Sequence, residues 1–199
     1  MSSPRVDGRS LRFQHRRPEL LAAATEYVLE HGVTDLSLRP VAQALGVTHA
    51  TLLRHFSSKD ELIMAVLENI RTDLAAQWAS DTELSEARST AELVKAGWKR
   101  LCEPKQQRQF LLLFELVGHH GWKPARDRDL VESIVEDWIS VLAGRLSRDG
   151  WSPEDSTALA TLLLAQVRGL QLDLLVSGDR ERADRAIDFA VRLLDRPTS

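Results

Sequence analysis

The sequence predicts an all-α fold with about nine helices, and three observations lead to that prediction. Apolar residues recur at helical spacing along most of the 199-residue chain. The 10 glycines and 7 prolines lie mostly between these periodic runs, where they would end helices. No stretch alternates apolar and polar residues, or is rich enough in Val, Ile and Thr, to predict a sheet.

Four helices are predicted in the N-terminal part of the chain, at about residues 18–31, 38–45, 49–56 and 59–78. The first is expected to begin at Pro18, since proline suits the first turn of a helix. Ser37 and Thr48 are expected to cap the two short helices, with a tight turn at Gly46 between them. Five further helices are predicted at about 86–102, 105–119, 125–147, 153–176 and 180–195.

Composition excludes several classes of protein. The chain is 43% hydrophobic, which is enough for a core and excludes a wholly disordered chain. Its one cysteine, Cys102, excludes an intrachain disulfide and fits a reducing compartment, so we expect a cytoplasmic protein. No stretch of about 18 uncharged apolar residues predicts a membrane span, and the N-terminus lacks the apolar segment of a secretory signal.

Charge is distributed unevenly along the chain. The net charge is −3, but residues 1–60 carry eight Lys and Arg against six Asp and Glu, a net +2. Residues 61–199 carry 18 against 23, a net −5. We expect residues 1–15 to form a flexible basic arm that either reaches DNA or remains a solvated tail.

Residues 37–56, SLRPVAQALGVTHATLLRHF, have the pattern of a helix-turn-helix. Six apolar residues are spaced so that they can share a small core with the first helix: Val41, Ala42, Leu45, Val47, Leu52 and Phe56. The second helix would then present Thr48, His49 and Thr51 at its N-terminal end, with Ala50 small enough for close approach and Arg54 one turn on. Hydroxyl and imidazole groups can hydrogen-bond base edges or phosphates. A helical hairpin with solvated polar residues would show the same pattern.

Residues 17–67 resemble the DNA-binding domain of TetR-family transcriptional regulators. The resemblance runs through ELLAAATEYVLEHG, SLRPVAQALGV, THATLLRHF and SSKDEL, and the stretch from Gly46 to Leu62 is its most specific part. It implies an N-terminal three-helix helix-turn-helix domain over residues 16–62. A C-terminal helical ligand-binding and dimerisation domain would then occupy residues 63–199.

The resemblance implies which residues meet DNA. The implied set, together with the cap and the basic residues beside the motif, is Ser37, Arg39, Thr48, His49, Ala50, Thr51, Arg54, His55 and Lys59. Among these, His55 and Lys59 match phosphate-contacting positions. Leu53 stands where the family usually has tyrosine, so we expect Arg54, Arg39 or the arm to replace the missing phosphate contact.

The resemblance also implies a homodimer that binds a palindromic operator and is controlled by an effector. The last two helices would pair across the two-fold axis through Leu163, Val167, Leu170, Leu174, Ala183, Ile187, Ala190 and Leu194; burial within one subunit is the alternative. We expect a small apolar or aromatic effector bound by Trp78, Trp98, Cys102, Phe110, Phe114, His119, Trp122, Trp138 and Gln166. Aromatic residues also fill cores, so each could be structural. Gln166 and Arg168 are notable polar residues in a leucine-rich helix.

Two other interpretations involve the same region. Glu115 and His119 have the i, i+4 spacing of metal ligands, with His120, Asp127 and Asp129 nearby, but they also fit a polar helix end. Cys102 could sense redox state, although a lone cysteine in a helical domain is more often a small buried apolar residue. We expect no metal and no cofactor.

The sequence favours a transcriptional regulator over other classes. It contains no phosphate-binding loop, no GxSxG motif and no pairs of Glu-x-x-His for a di-metal centre, so we expect no enzyme. A repressor is the preferred function. An activator of the same fold, or a helical protein that binds only other proteins, remains an alternative.

Overall fold

The computed structural model describes residues 8–120, 126–192 and 194. This part of the chain contains ten helices and no strand. In order they are α1 (Gly8–His31), α2 (Leu38–Ala44), α3 (His49–His55), α4 (Lys59–Ser80), α5 (Thr82–Glu86), α6 (Thr90–Leu101), α7 (Pro104–His120), α8 (Arg126–Arg148), α9 (Pro153–Ser177) and α10 (Arg180–Arg192). The predicted all-α fold is confirmed.

The helix boundaries differ from the prediction in two places. α1 begins at Gly8, so Pro18 lies inside it, and residues 8–15, expected to belong to a flexible arm, have a helical backbone. These residues include good helix formers, although the interior proline removes one backbone hydrogen bond and crowds the carbonyl of the preceding turn. The short helix α5 was not predicted, because five residues are too few to show a period. It is capped by Asp81, whose Oδ1 accepts from Leu84 N at 3.1 Å.

The helix-turn-helix and its neighbours share one closed core. Val41, Ala42, Leu52 and Phe56 are buried in it, as predicted, and Leu45 and Val47 pack against its edge. Residues from α1 and α4 complete this core: Leu20, Ala24, Val28, Leu62, Ile63, Val66, Leu67 and Ile70. We call α1–α3 and the first half of α4 the head.

A second core lies among α6, α8, α9 and α10. We call the region beyond the head the effector domain, after the role that the family resemblance implies for it. Leu146, Ala160 and Ala183 are completely buried there. α9 begins as the sequence predicts, with Pro153 in the first turn and Ser152 Oγ accepting from Asp155 N at 3.1 Å.

α7 joins the effector domain to the head. Its residues Leu112 and Leu116 are buried in the head core. Between them in sequence, Glu115 Oε2 accepts a hydrogen bond from Val33 N, 3.1 Å away, just beyond the end of α1. Gly32 permits this approach, because a Cβ at this position would lie 2.7 Å from Glu115 Oε2, and the φ of +73° also favours glycine.

Candidate nucleic-acid interface and effector cavity

α3 has one buried and one exposed face. Leu52 and His55 point into the head, whereas Ala50 and Arg54 are exposed and His49 is partly exposed. The turn before α3 is stabilised by Gly46, which has a φ of +66°. The helix therefore presents the polar side that the sequence predicts for contact with DNA.

Thr48 and Thr51 form the N-terminal end of this exposed face. Thr48 Oγ1 accepts from Thr51 N at 3.1 Å, which confirms the predicted cap, and it lies 2.9 Å from Thr51 Oγ1. The two hydroxyl groups are thus held side by side at the end of α3 that enters a major groove in a helix-turn-helix.

Three further predicted DNA contacts lie at the starts of neighbouring helices. Ser37 and Arg39 are exposed at the start of α2, and Lys59 is the first residue of α4. Ser37 has the backbone conformation of a cap, but its side chain makes no capping hydrogen bond. Helix N-termini carry N–H groups suited to phosphate.

His55 does not fit its predicted role as a phosphate contact. Its side chain is buried, with 6% exposed. Burial, followed by the nearby charges of Arg17, Arg54 and Arg16, lowers the pKa of the imidazole from 6.5. Spacing placed His55 near DNA, whereas the packing of α3 turns its ring into the head.

Arg17 is a structural residue of the head that the sequence analysis overlooked. Its guanidinium lies 5.0 Å from the centre of the Phe56 ring, and its Nε donates to the His55 carbonyl oxygen at 3.4 Å. It also pairs with Glu61 at 3.9 Å. Arg17 therefore joins α1 to the end of α3 and the start of α4, a role with no local sequence signal.

The effector domain contains a cavity of about 560 Å³. Its walls come from α4, α5, α6, α7, α8 and α9, and they are mostly apolar. The volume lies within the range of small-molecule sites, which is about 300–1,000 Å³.

Aromatic residues form part of the cavity wall. The rings of Trp78 and Trp138 meet edge to face, with centroids 4.4 Å apart. Trp78 also lies against Gly97, where a Cβ would be only 3.0 Å from the ring. Trp98 lies on the wall and donates its Nε1–H to Asp184 Oδ1 at 2.6 Å.

The polar residues of the wall differ in how they are paired. Arg71 Nη2 lies 2.6 Å from Asp137 Oδ2, which joins α4 to α8. Gln106 Nε2 donates to Gln77 Oε1 at 3.3 Å, while the buried Oε1 atoms of Gln106 and Gln109 have no hydrogen-bond partner among the described residues.

Comparison with known proteins agrees with this architecture. The family model described as bacterial regulatory proteins, tetR family, matches residues 20–66. The nucleoid occlusion factor SlmA of Vibrio vulnificus is 30% identical over 163 residues, covering 78% of this chain and 81% of SlmA. The HTH-type transcriptional regulator CymR of Pseudomonas putida is 25% identical over 190 residues, covering 92% and 91%.

The chain belongs to the TetR family.

A crystal structure of a transcriptional regulator from Rhodococcus sp. Rha1 superposes with a TM-score of 0.73 at 25% identity, covering 89% of this chain and 95% of the other. The chain is thus a DNA-binding transcriptional regulator of the TetR family, with the fold and the helix-turn-helix that the sequence predicts.

The predicted effector residues of this TetR-family regulator fall into three groups. Trp78, Trp98, Phe110 and Trp138 line the cavity. Cys102, Phe114 and Gln166 are not on its wall: Phe114 is half exposed, and Cys102 is buried in the second core. Trp122 and the side chain of His119 lie outside the described residues.

Cys102 and Glu115 are the described residues of the two alternative interpretations, redox sensing and metal binding. Burial raises the pKa of the Cys102 thiol to about 11, so this group is not a reactive thiolate at neutral pH. The carboxylate of Glu115 accepts a hydrogen bond from Val33 N. The other groups of that suggested site, the side chains of His119, His120, Asp127 and Asp129, lie outside the described residues.

Most residues predicted at the dimer interface face the interior of one subunit. Leu163, Leu174, Ala183 and Ile187 are buried in the second core; Val167, Leu170 and Leu194 pack against it, and Ala190 is partly buried. The exposed apolar face of α9 is a different stripe, which consists of Ala158, Leu162, Ala165, Gly169 and Val176, with the partly buried Leu172 between the last two. Because α9 is apolar on nearly every side, its sequence did not show which side faces the core.

Proposed function

We propose that this regulator is a cytoplasmic homodimeric repressor, released from a palindromic operator when a small effector binds in the cavity. The single observation that carries the proposal is that Leu67 and Ile70 of α4 belong both to the head core and to the cavity wall. A ligand that displaces α4 therefore changes the packing of the head directly.

A second connection runs through α7. Gln106, Gln109 and Phe110 line the cavity, and about one turn further on Leu112, Glu115 and Leu116 contact the head. Coupling between two such sites is typically about 1–3 kcal/mol, so we expect an effector to weaken operator affinity about 5–150-fold.

The exposed stripe of α9 supports dimerisation. α9 is long and apolar enough to cross a membrane by length and composition alone. It nevertheless packs against α8 and α10, and its small exposed residues suit close contact with another helix. Open space beside Gly169 would admit the helix of a second subunit, and Phe189 of α10 is a further exposed apolar side chain. A two-fold dimer would place two α3 helices in successive major grooves about 34–36 Å apart.

The proposed DNA contacts divide by chemistry. His49, Ala50, Thr51 and Arg54 would read base edges from the exposed face of α3, with Thr48 beside them. Ser37, Arg39 and Lys59 would position the dimer on phosphates, and their contribution would weaken as salt concentration rises.

A gel-shift titration tests the proposal, with the DNA upstream of the protein's own gene and random DNA of equal length as competitor. We expect preferential binding to the upstream fragment and weaker binding at high salt. Thr51→Ala removes one side-chain group while leaving its backbone N–H for the Thr48 cap. We expect this change to weaken operator binding about 5–150-fold, as loss of a base contact costs about 1–3 kcal/mol.

Thr161→Ala is the matched control, since Thr161 is exposed on α9 and bonds only the Thr157 carbonyl among the described residues. Equal affinity of the Thr51→Ala variant and the wild type would refute the assignment of α3 as the recognition helix. Transcription in vitro from the same fragment decides between repressor and activator: a rise when the protein is added would overturn the repressor function.

A further inference from the structure

The cavity wall contains an arginine that no described acidic residue pairs with. Arg168 of α9 lines the cavity and is partly buried. It makes no hydrogen bond or ion pair with any residue that the structure describes. Burial lowers the pKa of its guanidinium, as expected for a charge that leaves water without a partner. A buried charge is costly unless it is paired, so this position favours an anionic ligand.

The other charges of the wall do not neutralise Arg168. Arg71 and Asp137 pair with each other at 2.6 Å, which leaves one unmatched positive charge on the described wall. A monoanion would match that charge. A phosphate dianion would leave a negative charge against apolar residues, so a carboxylate is the better fit.

The unpartnered glutamine oxygens point to a second polar group on the ligand. Gln106 and Gln109 are more than nine-tenths buried on the cavity wall, and the Oε1 atom of each lacks a hydrogen-bond donor. The Nε2 of Gln106 donates to Gln77 Oε1, which leaves its Oε1 on the other side of the amide, and an amide oxygen can only accept. Buried acceptors of this kind are normally satisfied, which a ligand hydroxyl group would do.

We propose that the effector is a largely apolar monocarboxylic acid that also carries a hydroxyl group. Its carboxylate pairs with Arg168, its hydroxyl donates to Gln106 or Gln109, and its apolar body lies against Trp78 and Trp138. The inference rests on the proposed function in one respect: the ligand of this cavity is taken to be the effector.

Calorimetric titration of the full-length protein with four matched naphthalene compounds tests this inference. They are hydroxynaphthoic acid, its methyl ester, naphthoic acid without the hydroxyl, and naphthol without the carboxylate. We expect the hydroxy acid to bind about 10–100-fold more tightly than the ester, because a hydrogen bond to a charged group is stronger than one to a neutral group. Hydroxydodecanoic and dodecanoic acids provide the same comparison for a flexible aliphatic body.

Two variants assign the two ligand groups to residues. Arg168→Met keeps the length of the apolar stem, and we expect it to abolish the preference for acid over ester. Gln109→Leu, or the same change at Gln106, should abolish the preference for the hydroxy acid over the plain acid. Arg182→Met is the control, because Arg182 pairs with Asp173 on the surface and is not on the wall.

Equal binding of acid and ester, or failure of every acid to bind, would overturn the inference. An unchanged preference for the acid in the Arg168→Met variant would also overturn it. Dissociation of the dimer by this substitution would do the same, because it would place Arg168 at the subunit interface. A gel shift separates this failure from failure of the proposed function. If a neutral compound and no acid releases the DNA, the repressor function is retained and the proposal of an acidic effector is wrong. If the protein binds no operator, the repressor function is wrong whatever the cavity binds.

Discussion

The head and the effector domain are both helical, but they use their interiors differently. In the head, Leu52, Phe56 and Val66 are completely buried in a continuous apolar core. In the effector domain, apolar walls surround a space of about 560 Å³, and the wall includes polar groups of Gln109 and Arg168 that pair with no described residue. The core of the head is closed, whereas the other region encloses a space large enough for the small-molecule effector that we propose.

The largest expected effect comes from matched leucine truncations in the two regions. Leu52→Ala should lower the free energy of unfolding by about 2–5 kcal/mol, because it leaves a void in a closed core. Leu74→Ala on the cavity wall should cost less than about 2 kcal/mol, because this side chain already lacks neighbours on one side. Urea unfolding followed by circular dichroism measures both.

Both leucines lie within helices, so replacing either by alanine changes helix propensity by a similar amount. The difference between the two losses of stability therefore reports how closely each side chain is packed. Equal losses in the two variants would mean that the cavity wall is packed as closely as the head. The comparison between the regions would then be wrong.

A smaller effect should follow from breaking the contact between the regions. Glu115→Ala leaves Val33 N without its acceptor, and we expect a loss of about 1–2 kcal/mol of stability, since the bond is charge-assisted but only partly buried. We also expect a smaller fall in operator affinity on effector binding, measured by gel shift with and without ligand.

Glu115→Gln retains an oxygen that can accept from Val33 N, so its effect should be intermediate. Glu136→Ala, an exposed position on α8, is the control. If Glu115→Ala leaves effector-induced release at the wild-type level, the connection between the regions does not pass through this hydrogen bond.

The predictions from sequence succeeded in the head for a local reason. Thr48 caps α3 through a residue three positions away, and Gly46 makes its turn alone, so short stretches of sequence contain both signals. In the effector domain the signals are tertiary. Arg168 and Gln109 belong to different helices, and nothing near either residue in sequence shows that they share a cavity.

The residues predicted at the dimer interface lie largely inside one subunit for a related reason. Leu163 and Leu162 are adjacent leucines on α9, yet one is 4% and the other 54% exposed. Only the positions of α8 and α10 decide which of them faces inward. The early start of α1 was missed because Pro18 is equally acceptable at a helix start and, at some cost, within a helix.

The smallest expected effect is a pH dependence of the head. Because burial lowers the pKa of His55, the folded head binds this proton less readily than the unfolded chain does. Its contribution to stability is therefore present above the ordinary value of 6.5 and is lost as the pH falls below that value.

Thermal unfolding between about pH 7.5 and pH 5.5 should thus show a steeper loss of stability for the wild type than for His55→Gln. The other histidines are present in both proteins, so their contributions cancel when the two pH profiles are subtracted. Identical pH profiles would show that His55 is equally easy to protonate in the folded and unfolded chains.

The burial of Leu112 and Leu116 among head residues has a consequence for engineering. A biosensor is often assembled by grafting a new sensing region onto an existing DNA reader. A graft joined near residue 62 would bring a foreign α7 into the head of this protein, with other side chains against Val33 and α1. In such a chimaera, the face of α7 that carries these two leucines and Glu115 should therefore come from the same protein as the DNA-binding head.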